Sequence, residues 1–437
     1  MTAYWCVRAW LSTGVTDRVR VDTDDAGFVT AVEVGVHPEP SDVQLAGIVL
    51  PGLANAHSHA FHRALRGRTH AAGGTFWTWR RRMYEVAGRL DPDSYRDIAT
   101  AVYAEMALAG VTCVGEFHYV HHRPDGKSYD DPNAMGHALR EAAHAAGIRL
   151  TLLDTCYLAG GIGEPLTAAQ RRFGDGNAAR WAERVDALAT DPSTRIGAAI
   201  HSVRAVPVDQ IAAVVEGAQG RPLHVHLSEQ QEENEQCRTA YGVTPTVLLQ
   251  EHGALGPHTT AVHATHLDHA DIGVLGRSGA TACLCPTTER DLADGIGPAR
   301  ALRDAGTPVA LGSDQQAVVD LLEEARALEM HERLASGRRG RFRPAELVTA
   351  LTSAGHAALG WPDAGRIAVG SLCDLVAIRT DTPRTAGVDP EQIVLAATAA
   401  DVDTVVAGGR TVVKEGRHVI GDVGRMLTKS ISQLSGP

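Results

Sequence analysis

The sequence reads as an α/β protein, a distorted (β/α)8 TIM barrel over residues 51–360 joined to a small β-sandwich domain built from both chain ends, 1–50 and 361–437. Three observations predict this. The 437-residue length exceeds an ordinary domain but accommodates a barrel of roughly 250 residues with an appended unit. From Pro51 to about Gly360, short β-rich runs with polar ends alternate with Ala- and Leu-rich helical stretches, the rhythm of a parallel sheet. Beyond Gly360 the helical period fades, and β-like runs joined by Gly-containing turns return.

Taken in order, the first fifty residues alternate as short strands around Asp24-Asp25-Ala26-Gly27, and the apolar Ile48-Val49-Leu50 leads through Pro51-Gly52 into the barrel. Barrel strands are expected at 48–56, 111–117, 148–156, 195–200, 222–226, 260–264, 280–285 and 308–311, enough to close an eight-stranded barrel. Helices are expected at 93–108, 177–190, 208–217 and 317–335, and start signals stand at Asp268 before 269–275 and at Pro298 before 299–304. Residues 365–370 and 403–414 read as strands, and the polar stretch 428–437 as a frayed end.

Composition narrows the function classes. Net charge is -11 with no dense basic stripe, which argues against nucleic acid. An anionic substrate therefore requires locally placed arginines. The opening MTAYWCVRAWLSTG lacks a charged segment followed by an apolar one, and no apolar run is long enough to span a bilayer, so a soluble cytoplasmic protein is expected, with no membrane partner. The seven cysteines are thinly spread, and Cys283 and Cys285 read as core packing rather than metal ligands.

Chemistry concentrates at strand ends. His57-Ser58-His59 closes the first expected barrel strand, and period-two geometry puts both imidazoles on one face. The fifth strand ends in His224-Val225-His226 with Glu229 three residues on, the sixth runs into His263, and the eighth into Asp314. Such ends converge on one face of a barrel, where active sites of this fold sit.

The ordered set of HxH, His, His and Asp resembles the amidohydrolase superfamily, as do Pro51-Gly52-Leu53-Ala54-Asn55-Ala56-His57 before the barrel and Gly370-Ser371-Leu372-Cys373-Asp374-Leu375-Val376 after it. That resemblance implies His57, His59, His226 and Asp314 as ligands of one divalent metal ion, with His263 beside the site. No lysine lies between Lys127 and Lys414, so the bridging carbamylated lysine of two-metal members is missing. Zinc suits imidazole and carboxylate ligands with an open position. Such an ion lowers the pKa of bound water from about 15.7 to about 7. In this reading Asp314 accepts the water's proton, Glu229 delivers a proton to the departing nitrogen, and His263 stabilises the nucleophile and the tetrahedral intermediate.

The segments His57-Ser58-His59-Ala60-Phe61, Phe76-Trp77-Thr78-Trp79-Arg80, Glu116-Phe117-His118-Tyr119-Val120-His121-His122 and Leu284-Cys285-Pro286-Thr287-Thr288-Glu289 resemble, more narrowly, the formimidoylglutamate deiminases of bacterial histidine breakdown. The resemblance implies a small dicarboxylate substrate, hydrolysed to N-formyl-L-glutamate and ammonia, and often a homodimer. Arg80 and Arg204 are the expected carboxylate clamps, since the guanidinium fork matches carboxylate geometry. Tyr119 and His201 match substrate-bonding positions. Two departures stand out: His62 replaces the usual Gln after HSHAF, and Gln315-Gln316 replaces the usual Ser-His after the metal aspartate, both expected near the mouth. Trp77, Trp79 and Phe61 leave open a purine or pyrimidine ring as the substrate of a related deaminase. A noncatalytic binding barrel is disfavoured by the intact ligand set. Residues 61–84, with Gly73-Gly74 inside, form a candidate lid.

Overall fold

The computed structural model describes residues 2–70 and 76–434; Gly73-Gly74 and the Trp77 side chain lie outside the described residues. Four strands come first: β1 (Thr2–Leu11), β2 (Gly14–Thr23), β3 (Val29–Val34) and β4 (Val43–Pro51). The barrel follows as β5 (Leu53–Ser58), β6 (Val111–His118), β7 (Arg149–Cys156), β8 (Thr194–Ile200), β9 (Leu223–Leu227), β10 (Thr259–His263), β11 (Thr281–Leu284) and β12 (Val309–Leu311). Then β13 (Leu375–Ile378), β14 (Val402–Ala407), β15 (Arg410–Lys414) and β16 (Arg417–His418) return to the first four.

Strands β5 to β12 pair in sequence order, all parallel, and nearly every residue is buried, as a sheet covered on both faces requires. Closure is made by functional residues. Asp314 N donates to His57 O and His59 N to Asp314 O, both at 3.0 Å, joining β12 to β5. Gly312 permits that approach: a Cβ there would stand 2.8 Å from His57 Cβ and O.

The other eight strands form one sheet in the order β16-β15-β14-β13-β4-β1-β2-β3. The expected sandwich is thus a single sheet that curls back on itself. Phe28 bridges Leu372 and Tyr4 Oη donates to Gly409 O at 2.9 Å, while Tyr4, Cys6, Val21, Leu45, Val49, Leu375 and Val406 fill the interior. Between sheet and barrel, buried Arg149 grips Asp374, which also accepts from Thr112 Oγ1 at 3.2 Å and Gly408 N at 2.8 Å.

Three sequence expectations are corrected. The expected strand 48–56 is two strands: Ile48-Val49-Leu50 lies in β4, paired with β1 and β13, and the barrel starts at Leu53. An apolar run continues across the junction because both strands are buried, so hydrophobicity alone cannot divide it. Residues 365–370 are irregular, with Ile367 packed into the end-sheet core. Of the stretch expected to fray, residues 428–434 belong to the helix Val423–Leu434, whose Leu427, Ile431 and Leu434 are buried beside the helix Pro92–Leu108. Their spacing of four and then three residues is a helical stripe hidden among polar neighbours.

Elsewhere the local signals hold. Asp268 caps its helix by accepting from Ala270 N and Asp271 N. Cys283 and Cys285 pack with Ala56, Val262 and Ala310, and all seven cysteines are buried thiols. Among the described residues, no helix is long and apolar enough to cross a membrane.

Candidate active site

The chain leaves β5, β9 and β12 through turns that bring four side chains together. His57, His59, His226 and Asp314 place one ligand-capable atom each within 4.8 Å of one another. His57 Nε2 and His59 Nε2 lie 3.1 and 3.3 Å from Asp314 Oδ1, and His57 Nε2 lies 3.1 Å from His226 Nε2. His59 Nδ1 donates to Phe117 O and His226 Nδ1 to His201 O, each at 2.9 Å. A carbonyl only accepts, so Nδ1 carries the hydrogen in both rings and the Nε2 lone pairs face the centre.

Electrostatics reinforces the arrangement. Burial pushes His57 down to about 3 and His59 to about 4, despite the pull of Asp314, and drives His226 well below its ordinary value. Burial alone would raise Asp314, but the surrounding His57, His263 and His59 hold its carboxylate well below the usual range. Neutral imidazoles around an ionised carboxylate are donors a divalent cation satisfies.

Backbone strain marks the same loops. Ser228, His263, Ala264, Asp314 and Gln316 all adopt left-handed φ values between 41° and 68°, unusual for non-glycine residues. These turns follow β9, β10 and β12, and three precede or carry the residues singled out for chemistry.

Beside the four donors, His263 lies between two carboxylates: Nε2 is 3.8 Å from Glu229 Oε1, and Nδ1 is 3.5 Å from Glu289 Oε1. Burial lowers His263, but Glu229, Glu289 and Asp314 overcome it and raise the imidazole to about 10. Burial raises Glu229 above its ordinary value. Asp294 is pushed up to about 8, first by burial and then by Glu229.

A cavity of about 800 Å³ opens over this cluster and is lined by His59, His226, Glu229, His263 and Asp314 together with all five residues assigned to substrate: His62, Arg80, Tyr119, His201 and Arg204. His62 Nε2 lies 2.9 Å from Tyr119 Oη. Arg204 Nε donates to Glu233 Oε2 at 2.7 Å, and its Nη2 lies 3.6 Å from Glu229 Oε2. Arg80 Nε donates to Tyr84 Oη at 2.7 Å. Trp79 lines the cavity edge-on to His62, while Phe61 packs behind His62 and Tyr119 outside it.

The expectation that Gln315 and Gln316 lie at the mouth is corrected. Neither lines the cavity. Gln315 Nε2 donates to Asp291 Oδ2 at 2.9 Å, whereas buried Gln316 bridges Ser313 Oγ (2.7 Å) and Ser58 Oγ (2.9 Å). After the left-handed turn at Asp314, Gln316 reaches back to the serine between His57 and His59, and Gln315 turns aside to Asp291. Ser58 Oγ continues the network to Glu116 Oε2 at 2.9 Å, and Glu116 Oε1 accepts from Ala60 N at 2.7 Å.

Sequence reasoning assigned no role to Tyr84, Tyr157, Gln170, Glu233 or Glu116. Tyr157 directly follows β7, so the strand-end rule that found the histidines also reaches it. Glu233 stands one helical turn beyond Glu229. Gln170 sits in irregular chain with no periodic signal. A second buried group, His118, His121 and Asp154, already holds its cation: Arg184 forks onto Asp154 at 2.7 and 2.8 Å.

The model of the amidohydrolase family matches residues 48–412. The chain belongs to the amidohydrolase family. A curated formimidoylglutamate deiminase of Pseudomonas aeruginosa is 38% identical to this amidohydrolase over 96% of each chain. An 8-oxoguanine deaminase from the same organism is 29% identical over 84% of this chain and 83% of its own. Among solved structures, an amidohydrolase from Brucella melitensis superposes with a TM-score of 0.92 over 100% of both chains at 29% identity. The family assignment makes the protein a hydrolase and accords with the barrel.

Proposed function

We propose that this amidohydrolase is a mononuclear metal-dependent deiminase that converts N-formimidoyl-L-glutamate to N-formyl-L-glutamate and ammonia, a reaction of histidine degradation. The observation that carries the reading is one cavity that opens over four convergent metal donors and is walled by Glu229 and two arginines. The 38% identity to a formimidoylglutamate deiminase supports the same substrate.

In this reading His57, His59, His226 and Asp314 hold the ion, and zinc is the assignment that fits their imidazole and carboxylate donors. When bound, it supplies Lewis acidity, which activates water at neutral pH. The residues do the rest. Asp314, ionised at neutral pH, takes a proton from the attacking water as its oxygen adds to the formimidoyl carbon. Glu229, which lines the same cavity, gives a proton to the imine nitrogen. The water oxygen loses two protons in all, both end on that nitrogen, and the C–N bond breaks to release ammonia. His263 donates a hydrogen bond to the developing oxyanion. Arg80 and Arg204 receive the two carboxylates, with His201, Tyr119 and His62 orienting the chain between.

A second reading, deamination of a purine-like ring, is favoured by the aromatic lining of Trp79, Tyr84, Tyr119, Tyr157 and Phe173 and by the 29% identity to an 8-oxoguanine deaminase. Ammonia release by the zinc-loaded protein separates the two. Rapid release from N-formimidoyl-L-glutamate, with little from N-formimidoyl-L-aspartate or a purine panel, is the expected result. Turnover of a purine with none of the glutamate compound would reverse the assignment.

A further inference from the structure

Two openings meet at Arg80. The larger is the active-site cavity; a neighbouring groove of about 530 Å³ shares Arg80, Tyr84 and Gly160 with it. Gln170 lines the groove and not the cavity, while Tyr157 lines the cavity and not the groove. These side chains form the partition.

Gln170 is 1% exposed and its carboxamide is fully committed. Its Nε2 donates to Tyr157 Oη at 2.9 Å and Tyr84 Oη at 3.1 Å, and its Oε1 accepts from Thr167 N at 3.0 Å and Thr167 Oγ1 at 2.7 Å. A glutamine amide has two hydrogens to give and two lone pairs to fill, so no freedom remains. Tyr84 Oη also accepts from Arg80 Nε at 2.7 Å. On the other side, the Tyr157 ring lies 4.4 Å from His201, whose carbonyl holds His226. One amide therefore sets both the tyrosine that Arg80 binds and the ring beside His201.

We propose that Gln170 is a positioning residue that sets chain-length specificity: through Tyr84 and Tyr157 it closes the cavity on the Arg80 side and fixes how far from the metal donors a substrate's distal carboxylate lies. This rests on the dicarboxylate reading above. Without the amide, Tyr84 and Tyr157 lose the bonds that hold their hydroxyls together, the partition opens into the groove, and the hydroxyl that Arg80 binds is free to shift. A longer chain then fits without strain.

The test is calorimetry of the linear dicarboxylates succinate, glutarate, adipate, pimelate and suberate on the zinc-loaded full chain, in wild type, Gln170→Ala and Tyr84→Phe. Wild type is expected to bind one length best and to lose about tenfold in affinity per methylene beyond it, the scale of discrimination by pocket size. Gln170→Ala should move the optimum to a longer acid. Tyr84→Phe keeps the ring but drops the shared hydroxyl, and should move it the same way by less; it decides the matter if Gln170→Ala does not fold. An unmoved optimum, a uniform loss at every length, or no length preference in wild type would overturn the proposal. A length-selective wild type that releases no ammonia from N-formimidoyl-L-glutamate would instead sink the substrate reading and leave the partition standing.

Discussion

At Asp314 and Gln316 the backbone is left-handed, with φ of 41° and 61°, a conformation that costs of order 1–3 kcal/mol for such residues. The buried Gln316 amide offsets that cost by tying Ser313 to Ser58, which sits between His57 and His59. Partners behind the ligands of a metal tune its binding by roughly 10- to 100-fold. Gln316→Ala should accordingly weaken zinc retention about tenfold in chelator competition; unaltered retention would leave Gln316 as packing only. Glu229→Gln should keep the metal and lose most turnover, because it deletes a proton carrier outside the donor set; an unchanged rate would remove Glu229 from the chemistry. At this scale the ligand-capable strand ends were legible from spacing and topology, while the choice of His57, His59, His226 and Asp314 among them rested on the resemblance to the amidohydrolase superfamily. Gln316 was visible only as an anomaly. Its direction depends on a strained turn that no propensity encodes.

The helix Phe76–Ala87 carries Arg80 and Tyr84 into the cavity, and its far end is fastened. Arg172, 1% exposed in the loop after β7, donates to Ala87 O, to Leu90 O at 2.9 Å and to His122 O at 2.9 Å. A guanidinium spanning three carbonyls holds the helix against the loop that bears Gln170. Arg172→Met leaves those carbonyls unsatisfied and should destabilise the protein by about 3 kcal/mol. Hydrogen exchange should show protection falling first in 76–90; uniform loss across the barrel would argue that the fastening is not local. The barrel elements were readable because buried parallel strands and amphipathic helices differ in period. The β4 to β5 junction was not, since two buried strands in different sheets abut with one glycine between them, and the helix Val423–Leu434 was masked by the polar residues on its outer face.

Across the whole molecule, buried neutral histidines set an acid limit. Burial holds His121, His224 and His356 each at about 4, against an ordinary 6.5. Their folded pKa values lie below the unfolded ones, so the unfolded chain binds protons first, and stability falls as pH drops from about 6.5 toward 4. Each fully buried ring accounts for up to about 3 kcal/mol of that loss. Tm should therefore drop steeply over this window, and His356→Asn, which keeps a donor for Gly52 O, should flatten the slope; an equal slope would place the titration elsewhere. Asp374→Asn strands the buried Arg149 and should cost about 3 kcal/mol or more.

That Arg149 and Asp374 contact sits where β4 pairs with β13, Pro51 opposite Leu375. On the ribosome β1 to β4 emerge before the barrel strands, yet β4 keeps one edge without its β13 partner until the whole barrel has been translated. The end sheet is therefore completed only after the barrel, and its early half spends that interval as an open edge, the state in which a nascent chain is most exposed to mispairing with its neighbours.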